Sequence, residues 1–587
     1  MLFKQEWIPR VYRFLKIAFI IIWLSNLAST DSYISVYAVI AFSSFYAVIQ
    51  NDNFSFSRKE HSILFISSFF FSVLVLIANY PVFTRVRDLA YIQASTNLLV
   101  NVLNSFFSFI GGFVVAYSLL CFLYGKIQCG NLVVCRSSDT KTYLIFVILC
   151  FLAILSINLI HLFLVEYPGN VTEDPFTQIG EMVSGQYSNF NTFWHTMFFK
   201  QILTVGYAVF GDINAAMAFY CFVQSVVMAA AFTLCMSTLY LIGIPIFYLV
   251  FSFLIYSIMP YNIALSITIW KDVLFSAGAL FLICSVYRIV YNLGRWKAFN
   301  YISLVFGCIL FGLSRNIGWY VFLISLPVLA FVLRKNLKLV IALLSAFIFC
   351  WLLTNPVLSV LNISGDDYTE SLSVPLQQVS RVIADGCELT EEETALISQV
   401  LDIEEVPQLY TNWLSDPIKV EFRSNNTAYF EENVGEYVKL WINLGLRYPS
   451  EYLKAWVDQT KGYWNGGYGY GMYSETVTDN PYGVVKLPCN NIIAKLFRLY
   501  FGLSRHVIFF EPLHSIGLHV WITGLCCLFN LMQKRREWVL CVPLSVIVIG
   551  LCLGTPVYAS FRYAYPVFVC LPFILGITLY RFEDEAM

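Results

Sequence analysis

Long apolar runs recur from one end of the chain to the other, near residues 16–31, 33–50, 62–79, 100–124, 142–165, 214–236, 244–260, 272–290, 300–314, 317–333, 338–356, 513–531, 538–554 and 564–580. An α-helix rises about 1.5 Å per residue, so runs of this kind cross the roughly 30 Å of bilayer hydrocarbon. The short alternating strands of a closed barrel are absent from the pattern. The chain of 587 residues is 58% hydrophobic and 12% charged, against about 25% charged in soluble domains. The expected fold is all-α and multi-pass, with about 13–14 transmembrane helices.

Charge is sorted along the chain. Residues 362–500 hold 20 acidic and 10 basic residues, and the remainder holds 17 and 26. The formal net charge of −1 points to no nucleic-acid partner. Lysine and arginine cluster in short loops at Arg58/Lys59, Lys126/Arg136/Lys141, Arg288/Arg295/Lys297, Arg334/Lys335/Lys338 and Lys534/Arg535/Arg536. With a cytoplasmic N-terminus all these loops fall on the cytoplasmic side, and the C-terminal Arg581 joins them, as the positive-inside rule expects. Lys4, Arg10, Arg13 and Lys16 precede the first apolar run, which reads as an uncleaved first helix. The other face then carries the acidic loop 166–200, the short breaks 267–272, 313–318 and 555–566, and the hydrophilic stretch 362–505.

Four regions follow: N-terminal transmembrane helices (1–140), a transmembrane core with its acidic first outer loop 166–200 (141–361), a small, mostly helical extracytoplasmic domain (362–510) and C-terminal transmembrane helices (511–587). In the hydrophilic part, "LTEEETALISQVL" carries a capping box, Thr390 with Glu393, ahead of Leu396, Ile397, Val400 and Leu401. "ESLSVPLQQVSRVIADG" places Pro375 at a helix start. The Gly/Tyr-rich loop 463–473 offers Tyr463, Trp464, Tyr468 and Tyr470 either as sugar-stacking rings or as the ends of a mobile loop. The 16 cysteines lie mostly in apolar segments, with no CxxC pair, so no zinc site is expected. Whether Cys387 and Cys489 pair is left open.

Walker A, HExxH, GxSxG and Rossmann fingerprints are absent, as is an aspartate-x-aspartate pair. A cytosolic nucleotide-linked substrate is therefore not expected. What remains is a set of charged residues at the outer membrane surface: Glu173 and Asp174, Lys271 and Asp272, Arg315, and Arg562 beside Tyr563. Simpler roles exist for several of them. Asp174, before Pro175, could cap a helix; Lys271–Asp272 could be an interfacial helix start; Arg562 could anchor an aromatic belt. Arg315 interrupts a long apolar stretch, where a charge costs roughly 2.5–3.5 kcal/mol at a helix centre, and has the weakest such account.

"YPGNVTEDPFTQ", then "WKDVLF", "SRNIGWY" and "FRYAYP", resemble in order and sidedness the GT-C superfamily of polytopic glycosyltransferases, and within it a largely uncharacterised bacterial branch. Tyr167, Pro168, Gly169, Asp174 and Gln178 match the branch pattern. "NFNTFWHT" departs from its histidine-proline stretch, keeping only His195–Thr196. The resemblance spans about residues 140–580, and the first four spans read as an extension. It implies transfer of a sugar, with inversion, from a polyprenyl-phosphate carrier to a glycan, lipid or protein acceptor on the extracytoplasmic face. Asp174 would be the general base, and Glu173, Gln178, Lys271, Asp272, Arg315, Arg562 and Tyr563 would bind substrate. A divalent cation is possible, as in some members of the superfamily, and no ligand set for it is implied. The alternatives are a flippase or transporter for lipid-linked glycans, and a polysaccharide polymerase or ligase.

Overall fold

In hydrocarbon a backbone must satisfy its own polar groups, so the apolar runs form helices. The computed structural model describes residues 2–27, 34–50, 54–79, 98–130, 132–134, 140–363, 365, 368–467, 477–506 and 510–582. Among these, 8 helices are long and apolar enough to cross a membrane: Arg58–Ala78, Val102–Cys129, Lys141–Leu164, Ile213–Ile242, Lys271–Val290, Leu337–Val360, Arg536–Gly554 and Phe561–Leu579. A ninth is formed if Ile246–Ile258 and Pro260–Ser266 count as one span bent by 48°; Pro260 cannot donate to the helical ladder and marks the break. Ile34–Gln50, Lys297–Leu313, Asn316–Val332 and Ile516–Met532 are shorter apolar helices. The protein is a helical, multi-pass membrane protein.

Lys271–Val290 is the central helix, with every residue from Asp272 to Ile289 buried. It packs backbone to backbone on Lys297–Leu313, where a Cβ on Gly278 would lie 2.5 Å from Phe311 N and 2.9 Å from the Gly307 carbonyl. Only glycine permits that approach, the usual device for helix pairs in lipid. Helix Phe193–Phe210 was not among the apolar runs. It buries Phe193, His195, Phe199 and Leu203 and exposes Phe198, Val205 and Val209.

The hydrophilic domain has its own core, including Val382, Ile397, Leu401, Val406, Ile418, Phe422 and Leu444. Its capping box is formed: Thr390 accepts from Glu393 N, and the Glu393 carboxylate accepts from Thr390 N. The domain is stitched to the loop before the last helix. Ser415 N donates to Pro556 O (2.9 Å), Tyr558 N to Trp413 O (3.0 Å), and Gln459 Nε2 to Thr555 O (2.7 Å). The structure corrects the aromatic-loop expectation. Tyr463 and Trp464 end the helix Pro449–Trp464 and are buried, because their polar atoms bond to the 555–560 loop and to Thr460. Tyr468 and Tyr470 lie outside the described residues. Cys387 and Cys489 are free thiols.

Candidate functional site

The acidic loop is zipped onto the break before the central helix. Asn170 N donates to Ile267 O and Ile269 N to Asn170 O, both at 3.0 Å, while Asn170 Nδ2 reaches Thr268 Oγ1 at 3.1 Å. Gln224, buried in the neighbouring helix, answers the carbonyls freed at the break, with Nε2 at 3.1 Å from Ser266 O and 2.8 Å from Thr268 O. Trp270 Nε1 donates to Thr172 Oγ1 at 2.8 Å. Helices Glu173–Ser184 and Lys271–Val290 therefore begin side by side.

Asp174 is not the cap of its helix. Thr172 holds that position, without a side-chain cap bond, and the Asp174 carboxylate points elsewhere: Arg562 Nη1 donates to its Oδ2 at 2.6 Å. Arg562 sits in the first turn of Phe561–Leu579. Its guanidinium lies 5.1 Å from the Trp270 ring centre and 5.0 Å from that of Tyr563, and it donates to the Tyr563 hydroxyl at 3.2 Å. Arg315, the N-cap residue of Asn316–Val332, pairs with Asp272 Oδ1 and stacks 4.6 Å from the Tyr563 ring centre. Aromatic faces stabilise both guanidinium ions where water is scarce. Asp272 is buried, and its second oxygen has no hydrogen-bond partner among the described residues.

Lys271 Nζ donates to Phe190 O (3.1 Å) and Asn191 Oδ1 (3.3 Å). Asn316 Nδ2 donates to Asn189 O at 2.7 Å, so the 189–191 segment is held from two helix starts. Lys271, Arg315, Arg562, Asp174, Asp272 and Tyr563 form one cluster. Glu173 is exposed. Gln178 lies beneath them, buried, with Nε2 at 2.8 Å from Thr196 Oγ1 and 2.9 Å from His195 Nδ1. His195 Nε2 in turn meets the Tyr220 hydroxyl at 3.0 Å. Trp270, Asn189 and Asn191 were missed from sequence, and Tyr463 was read there as a ring of the aromatic loop. Only Trp270 left a signal there, an aromatic ring directly before the charged helix start.

Two opposed effects act on Asp174. Burial raises its pKa, and Arg562, Lys271 and Arg315 together outweigh burial, holding the carboxyl below the usual carboxylate range. Asp174 is thus ionised at neutral pH. His195 is different: burial lowers it to about 3, with Lys271 adding to the effect, so the ring is a neutral hydrogen-bonding strut. Three cations face two carboxylates in the cluster, leaving one positive charge in excess. Among the described residues no group of three or more His, Cys, Asp or Glu could hold a metal ion. Asp174 and Asp272 are each engaged by a guanidinium, so these residues do not fit a divalent-cation site.

Fold and site together define a multi-pass helical membrane protein whose helix starts gather a cationic, carboxylate-containing cluster at one end of the bundle. Residues 182–586 match a family of unknown function, DUF6020, and the chain belongs to that family. The matched region contains Lys271, Asp272, Arg315 and Arg562, and Asp174 precedes it. Comparison with curated proteins and with solved structures gave no match.

Proposed function

We propose that the protein is an inverting, GT-C-type glycosyltransferase with about 13–14 spans that uses a polyprenyl-phosphate sugar as donor, on the extracytoplasmic face. The observation that supports this most directly is the contact of Arg562 Nη1 with Asp174 Oδ2 at 2.6 Å, inside a cluster that also holds Lys271 and Arg315. It joins the two elements such a reaction needs: a carboxylate to accept a proton, and cations to hold a phosphate.

Asp174 takes the proton of an acceptor hydroxyl as its oxygen bonds to the anomeric carbon. The bond from that carbon to the phosphate oxygen breaks, and the carrier phosphate leaves with the electron pair and one more negative charge. Lys271, Arg315 and Arg562 stabilise that charge. At an effective dielectric near 20, one such contact at about 4 Å contributes roughly 4 kcal/mol before desolvation. Without substrate, Arg562 is held by Asp174. An incoming phosphate competes for Arg562, and the released carboxylate becomes more basic. Donor binding therefore prepares the base. The acceptor is a cell-envelope glycan, lipid or protein.

The test is incubation of the purified chain in nanodiscs with a panel of polyprenyl-phosphate sugars, following release of sugar-free carrier phosphate. Release by the wild type and none by Asp174→Asn is expected. If every donor leaves the wild type at the level of that variant, the reading fails.

A further inference from the structure

We propose that the end of the bundle opposite Asp174 holds a site for the phosphate headgroup of an anionic membrane lipid, in the cleft between Lys335, Lys338 and Arg536. This rests on nothing in the transferase reading. The central helix runs from Lys271 in the cluster to Val290 in this cleft, a rise of about 30 Å.

The cleft has a volume of about 430 Å³ and is lined by Val290, Leu333, Lys335, Asn336, Leu337, Lys338 and Arg536. Its three cations come from two segments some two hundred positions apart, Lys335 and Lys338 around the start of helix Leu337–Thr354 and Arg536 at the start of the short helix Arg536–Cys541, and no acidic residue lines it. None of the three has an ion-pair partner among the described residues. The neighbouring acid, Glu537, is already engaged: its Oε1 accepts from Arg535 Nη2 at 3.1 Å and from the Tyr291 hydroxyl at 2.9 Å. Topology accounts for basic loops on one membrane face. It does not account for Arg536 facing Lys335 and Lys338 across one concavity, since like charges repel and sequence proximity brings together only the two lysines.

The apolar lining separates a lipid from a free phosphate ester. Leu337 is exposed, and Ile341, Leu344 and Ile348 follow it as exposed residues on Leu337–Thr354. The spacing of four, three and four puts them on one helix face. An apolar track thus leaves the cationic cleft along a membrane-spanning helix, as an acyl chain attached to a bound phosphate would.

The experiment uses the full chain in neutral detergent and fluorescent phosphatidic acid, read by anisotropy. Replacing one cation, as in K335Q or R536Q, should weaken binding about fivefold, and K335Q/K338Q/R536Q about a hundredfold. R58Q/K59Q, which alters exposed cations of another loop, should bind as the wild type does. Circular dichroism of the triple variant should match the wild type, since all three side chains are exposed. Wild-type affinity in the triple variant would overturn the site. Displacement of the probe by diacylglycerol as well as by unlabelled phosphatidic acid would overturn phosphate recognition. Displacement by inorganic phosphate at the same concentration would overturn a lipid as the occupant.

Discussion

Asp174 and Arg562 stand 388 positions apart in the chain and 2.6 Å apart in space, Oδ2 to Nη1. The contact ties the loop after Lys141–Leu164 to the start of the last membrane helix. Neither residue serves only its own helix end. Asp174 does not cap its helix, and Arg562 does not extend into a lipid-facing belt.

The pair predicts a pH dependence. Asp174 has a lowered folded-state pKa, so its contribution to stability is present above the ordinary carboxylate pKa. It is lost as pH falls through the lowered value. In Arg562→Gln the leading influence on Asp174 is burial, so its pKa rises. The acid limb of any Asp174-dependent activity should move to higher pH. A pH–rate profile of that variant superimposable on the wild type would remove Arg562 from this role.

Arg315 and Asp272 should behave as a buried pair. Arg315→Gln strands the Asp272 carboxylate, which is 1% exposed, at a cost of roughly 3–5 kcal/mol. Adding Asp272→Asn should restore much of the loss. Thermal unfolding of the two single variants and the double variant gives the coupling, and simple additivity would contradict it.

Tyr463 fixes the approach to Arg562 from the hydrophilic domain. Its hydroxyl accepts from Ser560 N at 2.9 Å and donates to Val557 O at 2.9 Å. Tyr463→Phe leaves the buried Ser560 N without its partner, while Val557 O keeps its bond from Thr555 Oγ1 at 2.8 Å, a loss of about 1–3 kcal/mol. Carrier release should slow while Asp174 stays in place, and unchanged stability and turnover would refute the link.

Gln178 should prove structural. Gln178→Leu removes the partner of His195 and Thr196 and should lower stability by about 1–3 kcal/mol. Donor affinity, measured on the folded fraction, should stay within twofold of the wild type. A tenfold or greater loss of affinity at wild-type stability would return Gln178 to direct substrate contact.

Much of the local structure was legible in the residues themselves. Apolar runs gave the helices, Thr390 and Glu393 gave a cap, Lys271 and Asp272 marked a helix start, and Arg315 marked a break in the apolar sequence. These are effects of period, capping and desolvation, which act within a few residues of one another. Gln178 shows where that reasoning stops. It shares a helix face with Asp174 by its spacing of four, and the packing of helix Phe193–Phe210 buries it. Helix Phe193–Phe210 itself escaped notice because His195, Thr196, Lys200, Gln201 and Thr204 interrupt its apolar residues, so its sequence is not a continuous apolar run.

By itself, then, the chain determined its class, a helical membrane protein with a hydrophilic domain, because burial of apolar surface and backbone satisfaction depend on composition and period. Only the tertiary structure decided the partners: Arg562 with Asp174, Arg315 with Asp272, and Lys271 with the 190–191 segment. Coulomb attraction and hydrogen bonding act over a few ångströms of space. Which charges come within that range depends on how distant helices pack, and here the glycine-to-backbone contact at Gly278 is one of the places where that packing is set.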